Sequence, residues 1–406
     1  MKYELLLKNG TVIDPASGLL GQKDIAVAEG KIAAIDDNIP AESALCLVNL
    51  QGLLVTPGLI DFHCHMFPYF PVEASSLYCI NPDAHLFQNG VTAAVDTGTS
   101  GPRDFIHFKE QVLDKARARL FAFVNIADRG MLDFECENQP RHFVPEIAAA
   151  MVKSYPKQVI GIKTAHYWVG KPFDKEHPPW ASVEAAIQAA EASHSRALID
   201  FQPTLPERTY PDLLLNILRP GDIHAHMYAQ QFPVLNEEGK VNDFLWQAKK
   251  RGILFDLGHG SGSFWFRNAI PSFKQGYLPD TLSTDLYMNN VAGPVFGLVH
   301  ILSKYLSMGM ELMEIIRRVT IGPADIIGCE EIGRLAVGKP ADIAVLKELT
   351  GDFAFPDCGG ARMRGNKRLE CAMTLKDGKV VYDPDARTLP DWETAPEAYW
   401  VPPGII

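Results

Sequence analysis

Between residues 56 and 329 the chain alternates eight short apolar runs with seven amphipathic helical patterns, and few folds accommodate that alternation. The runs fall at 59–63, 91–96, 120–126, 159–164, 197–201, 223–228, 253–257 and 281–285. The helical patterns fall at 104–119, 145–155, 182–194, 210–218, 242–251, 295–308 and 311–320, with Ser182 and Asn242 expected as helix caps. Eight strands alternating with helices over about 250 residues argue for an α/β fold of the (β/α)8 TIM-barrel type. A doubly wound open sheet is the alternative, but no GxGxxG follows the first run to favour it.

The two ends of the chain have another texture. Short apolar runs separated by turns fill residues 1–55 and recur in 330–385, which predicts one small β-sandwich built from both ends, with the barrel of 56–329 inserted. Asn9-Gly10 is expected as a turn. Residues 348–368, rich in Gly, Asp and Arg, read as a loop, and the proline-rich residues 386–406 as an extended tail. A net charge of −11 gives no support for nucleic-acid or anionic-membrane partners. No apolar run reaches the roughly 18–20 residues of a membrane span, and the N-terminal apolar stretch is too short for a signal peptide. The seven cysteines are odd in number and never spaced CxxC, which suits a reducing cytoplasm. A small-molecule substrate and a homo-oligomer are expected.

A barrel places its chemistry at the C-terminal ends of the strands. His63 and His65 end the first run, and residues two apart on a strand face the same way, so both can address one metal ion. Lys163 sits in the apolar fourth run, where an unpaired charge is costly; a snorkelling lysine is its bland alternative. Asp200 ends the fifth run, with a capping carboxylate as the alternative. His224 and His226 mark the sixth, with His226 favoured as ligand and His224 as its support. Asp285 closes the eighth, where a turn residue is the alternative. His259 follows the seventh run in Gly258-His259-Gly260 and is placed to orient substrate, or else to stabilise its loop. Arg103 and Arg129, in loops after the second and third runs, are candidates for a bidentate grip on a substrate carboxylate, or plain solvated arginines. Tyr167, Trp168 and Tyr287 are candidate pocket residues, or packing.

Several stretches in this order resemble the amidohydrolase superfamily of metal-dependent hydrolases, near its dihydroorotase-like and deacetylase branch. They include Asn9-Gly10-Thr11-Val12-Ile13-Asp14-Pro15, Pro57-Gly58-Leu59-Ile60-Asp61-Phe62-His63-Cys64-His65, Leu282-Ser283-Thr284-Asp285-Leu286 and Gly338-Lys339-Pro340-Ala341-Asp342-Ile343. The resemblance implies one or two divalent ions, zinc first and manganese or iron as alternatives, held by His63, His65, Lys163, His226 and Asp285. It implies that Lys163 is carboxylated where two ions bind. It also implies metal-assisted hydrolysis of an amide or ester of a small carboxylate-bearing molecule, with Asp285 moving the proton. One position departs from the pattern: the family's strand-five histidine is replaced by Asp200, with Gln202 a weaker candidate ligand. Carboxylate oxygen is an acceptable zinc or manganese ligand, so the substitution bears on the second ion more than on the fold. The alternatives are a single-metal deaminase of the same superfamily, and a barrel that has lost catalysis and serves binding or assembly.

Overall fold

The computed structural model describes residues 2–67 and 79–396. The chain opens with strands β1 (Tyr3–Asp14), β2 (Leu19–Ala28), β3 (Lys31–Asp36), β4 (Ala44–Asn49) and β5 (Leu54–Pro57). It continues through β6 (Leu59–Cys64), β7 (Val91–Thr97), β8 (Arg119–Asn125), β9 (Val159–Thr164), β10 (Arg196–Ile199), β11 (Ile223–His224) and β12 (Leu254–Phe255). It closes with β13 (Ile343–Pro356), β14 (Arg362–Lys376) and β15 (Lys379–Tyr382).

The two chain ends do meet. They form one hydrogen-bonded sheet in the order β15-β14-β13-β5-β1-β2-β3, with β4 also pairing β1, where the sequence predicts a two-layered sandwich. Leu7, Val12, Val55, Ile343 and Met373 share one of its apolar clusters. Asn9-Gly10 is not the expected turn. It is a register irregularity inside β1, with Asn9 in the left-handed region at φ 62°, a conformation asparagine tolerates better than most residues. The expected loop at 348–368 is also corrected. Most of it belongs to a long antiparallel hairpin of β13 and β14. Its polar composition hid a ladder of cross-strand charges, such as Lys367 Nζ to Glu348 Oε1 at 2.9 Å and Arg364 Nη1 to Asp352 Oδ2 at 3.5 Å. The hairpin lies on the helix Leu298–Met308, and Leu369 N donates to Ser303 Oγ at 2.9 Å.

Strands β6 to β12 form a parallel seven-stranded sheet in sequence order. The eighth run is not a regular strand, yet it joins the two edges: Thr281 bridges to Asp256 beside β12, and Leu286 bridges to Cys64 of β6. Buried carboxylates replace part of its ladder. Asp61 accepts from Thr284 N and Oγ1 at 3.0 and 2.6 Å, and Asp256 accepts from Thr281 Oγ1 and Ser283 Oγ, both at 2.6 Å. Ile60, Phe62, Val95, Phe123 and Leu198 fill the interior beneath the site, as the packed core of a barrel requires.

Helices appear near the expected places, at Pro145–Ser154, Ala181–Ala192, Asp243–Lys250, Leu298–Met308 and Leu312–Arg317. The pattern at 104–119 gives only a short helix, Phe105–Phe108, and a π-helical turn, Lys109–Leu113. Ser182 lies inside its helix, whereas Asn242 does take the N-cap position of Asp243–Lys250, without a side-chain cap bond; its amide donates to Pro233 O at 2.8 Å. Among the described residues no helix is long and apolar enough to cross a membrane. None of the seven cysteines is in a disulfide. Of the expected tail, residues 397–406 lie outside the described residues.

Candidate metal centre

The C-terminal strand ends surround a cavity of about 360 Å³ bordered by His63, His65, Lys163, Asp200, His226 and Asp285. The pairing of His63 with His65 follows the alternation read from the sequence, and Cys64 between them turns into the core outside the strands. The ligand atoms of His63, His65 and Asp285 lie within 4.8 Å of one another. Asp285 Oδ1 is 3.0 Å from His65 Nε2 and 3.7 Å from His63 Nε2.

The proton positions follow from the partners. Thr99 Oγ1 donates its only proton to Asp96 Oδ2 at 2.9 Å, so at 2.8 Å from it His65 Nδ1 must be the donor. His63 Nδ1 donates to the Asp256 carboxylate at 2.8 Å, and His226 Nδ1 donates to the carbonyl of Gly258 at 2.6 Å. In the neutral imidazoles all three Nε2 atoms therefore present lone pairs to the cavity. Burial, and then the Lys163 ammonium, push the His63 pKa well below its ordinary value, which keeps that ring neutral. His63 Nε2 is buried without a hydrogen-bond partner. Lone pairs and a carboxylate oxygen converging at these distances repel one another unless a cation lies among them, so the donor set fits a divalent ion.

Asp200 Oδ2 lies 3.6 Å from His226 Nε2, which puts the aspartate on the far side of the same cavity. Burial alone would raise the Asp200 carboxyl, but His226 and Lys163 outweigh it and hold it below the ordinary range. Lys163 is 1% exposed. Its stem passes Gly98, where an added Cβ would lie 2.5 Å from Lys163 Cβ and Cγ. Gly258 is equally constrained: its φ is +46°, and a Cβ there would lie 2.6 Å from His226 Nδ1. His226 and Asp285 are themselves left-handed, at φ 64° and 52°. Such strain costs about 1–3 kcal/mol per residue and concentrates at functional sites. The turn at His226 also ends the alternation that placed it on one face with His224. His224 is not a supporting residue of the site. It sits in an aromatic core with Phe201, Tyr210, Phe232 and Phe255, and burial pushes its pKa down to about 3.

Other expected site residues stand elsewhere. His259, expected to orient substrate, is fully buried behind the cavity. It donates from Nδ1 to Gly260 O at 3.0 Å and accepts at Nε2 from Lys304 Nζ at 2.7 Å. Arg103 is exposed, and Arg129 lies 3.6 Å from Asp104 and 3.7 Å from Asp133; neither borders the cavity. Tyr167 is buried with its hydroxyl on Pro178 O at 2.9 Å, and Trp168 stacks on His177. Tyr287 does line the cavity, with its hydroxyl donating to Ser261 Oγ at 2.8 Å. Gln202 faces an adjoining pocket that shares Asp200 and His226.

The sequence reading missed the supporting acids Asp61, Asp96 and Asp256, which sit in apolar runs where an isolated carboxylate is costly; that cost was the available signal. It also missed His166. This residue borders the cavity and is held by the buried Glu137 at 3.0 Å. Burial draws the His166 pKa down, but Glu137 outweighs it and carries it up to about 9. Lys304, also missed, joins three segments, donating to His259 Nε2 and to the carbonyls of Pro294 and Pro356 at 3.2 and 2.7 Å. Burial lowers its pKa from 10.5 to about 7. The unfolded chain keeps that proton up to its ordinary pKa, so between about pH 7 and 10 it binds more protons than the folded one. Stability therefore rises with pH across this window, by at most about 1.4 kcal/mol per unit. Below pH 7 the cost of burying the charge is borne in full. Denaturant titrations from pH 6 to 10 should show a rise that is missing from Lys304→Met; equal slopes in the two proteins would contradict the assignment.

A parallel sheet with two histidines at one strand end and an aspartate beside them could hold a divalent metal ion. The profile of the amidohydrolase family matches residues 305–382. A deacetylase of Enterococcus faecalis is 28% identical over 388 residues, covering 94% of this chain and 100% of that protein. The crystal structure of an adenine deaminase superposes with a TM-score of 0.82 at 27% identity, covering 94% of this chain and 100% of that one. The crystal structure of a dihydroorotase superposes with a TM-score of 0.79 at 24% identity, covering 93% and 99%. These likenesses support a member of the amidohydrolase superfamily.

Proposed function

We propose that the protein hydrolyses an amide, N-acyl or cyclic, or an ester bond of a small carboxylate-bearing molecule. The observation that carries this reading is the buried, unpartnered His63 Nε2, aimed with His65 Nε2 at Asp285. His63, His65 and Asp285 would hold one divalent ion, with zinc favoured by two imidazoles and a carboxylate. Lys163, as its carbamate, with His226 and Asp200 would hold a second. A divalent ion there supplies Lewis acidity, lowering the pKa of water to about 7 and polarising a carbonyl. The chain does the rest. Asp285 accepts the proton of the attacking water and returns it to the leaving group. Asp256 and the Thr99–Asp96 pair keep the imidazole lone pairs turned to the cavity. Tyr287 and His166, on the cavity wall, would contact the substrate.

The deacetylase of Enterococcus faecalis supports N-acyl or acyl-ester substrates. The adenine deaminase neighbour favours a second reading, a single-metal deaminase. Purified protein is expected to carry divalent metal and to release free acid from a panel of N-acyl amino acids, cyclic amides and acylated hydroxy acids. Protein that binds no metal after growth in supplemented medium would end both enzyme readings. Ammonia release from aminopurines without acyl hydrolysis would select the deaminase.

A further inference from the structure

A second cluster of metal-type side chains lies outside the cavity, in the loop that follows β8. Asp128, Cys136 and His142 bring a carboxylate oxygen, a sulfur and an imidazole nitrogen within 4.8 Å of one another. They are distant in the loop but held together by its backbone. Asp128 N donates to His142 O at 2.9 Å, Ala127 bridges to Phe143, and Val144 N donates to Ile126 O at 3.0 Å. Cys136 is buried, on the short helix Phe134–Asn138, with its N–H on Asp133 O at 3.0 Å. The Cys136 thiol is within hydrogen-bonding reach of Asp128 and Asp133, and two features of Asp128 leave room for a cation. His142 Nδ1 faces Asp128 Oδ2 at 3.3 Å, longer than a usual charge-assisted bond. The other oxygen, Asp128 Oδ1, is buried without a hydrogen-bond partner, a costly arrangement for a carboxylate. Arg129 lies 3.6 Å from Asp104 and 3.7 Å from Asp133.

We propose that Asp128, Cys136 and His142 bind a zinc-class divalent ion, separate from the catalytic centre, that clamps this loop. Sulfur, imidazole and carboxylate together form a zinc-type donor set. Donor atoms around a tetrahedral zinc stand roughly 3.3–3.6 Å apart, from bond lengths of about 2.0–2.3 Å, so a small inward movement of side chains closes the site. Asp133, adjacent to the Cys136 thiol, or a water completes the fourth position. Binding forms the metal–sulfur bond and releases the thiol proton to solvent. The clamp bears on the cavity because the same loop builds its wall. Met131 borders the cavity. Glu137 holds His166 at 3.0 Å and accepts from Asn125 Nδ2 at 2.9 Å, and Asn138 Oδ1 accepts from Trp168 N at 3.0 Å.

The catalytic ligand set contains no thiolate, which gives the test its discrimination. Full-length protein is stripped of metal and titrated with cobalt(II). The expected result is a near-ultraviolet sulfur-to-cobalt charge-transfer band that is lost in Cys136→Ser and weakened in His142→Ala, with one metal ion fewer per chain in Cys136→Ser. Absence of the band at cobalt saturation would overturn the proposal. So would a band that survives Cys136→Ser, since it would report another thiol such as Cys79 on the cavity wall. If Cys136→Ser fails to fold, mass-mapped alkylation of the native protein decides. Zinc should protect Cys136 and chelator should expose it; equal labelling in both conditions refutes the site.

Discussion

Replacing Asp285 by asparagine should abolish turnover and leave the fold intact. The backbone at this position is held independently of the carboxylate: Asp285 N donates to His63 O at 2.7 Å, and Asp285 O accepts from Asn290 Nδ2 at 2.7 Å. Asparagine keeps the shape, tolerates the left-handed φ of 52°, and loses the charge and the basic oxygen. Burial alone would raise this carboxyl, yet facing the histidine side of the cavity it is held below the ordinary range. It is therefore ready to accept a proton at neutral pH. Loss of a positioned general base costs about 10²–10⁴-fold in rate, and loss of a metal ligand adds to that. kcat should fall at least a thousandfold, with a thermal midpoint close to wild type. A mutant turning over at near wild-type rate would refute the role given to Asp285.

The second large effect is expected at Lys163. A fully buried ammonium among ligand histidines is a poor neighbour for divalent cations, whereas its carbamate is an anion that can bridge two of them. Lys163→Met keeps most of the volume in the slot beside Gly98 and removes the nitrogen that carbon dioxide would modify. Metal content should drop from two ions per chain to one, and kcat by two orders of magnitude or more. Wild-type protein should carry the added mass of one carbon dioxide at Lys163 under native conditions. A mutant that retains two ions and its rate would mean that Asp200 and His226 hold the second ion alone, or that there is no second ion to lose.

What the sequence disclosed and what it withheld divide along physical lines. His63, His65, Lys163, Asp200 and Asp285 were legible as cavity residues because each ends or interrupts an apolar run. Alternation with period two also placed His63 and His65 correctly. It failed at β11, where the left-handed turn at His226 parts it from His224, which lies in an aromatic core. Arg103, Arg129 and His259 were chosen from loop position alone, and loop position does not fix where a long side chain points. The β13–β14 hairpin stayed hidden because charges that pair across strands read, in one dimension, as loop composition. The acids that orient the histidines were missed for a related reason: Asp61, Asp96 and Asp256 are recognisable only through partners far away in the chain.

The bond from Lys304 to Pro356 O has a consequence for biosynthesis. Every candidate ligand of the catalytic centre has been made by residue 285, yet the brace under the Gly258–Gly260 loop waits for β13 to be translated and docked. The contacts that turn the histidines and Asp285 to the cavity are all complete by residue 290, so only the brace on His259 depends on the late strand.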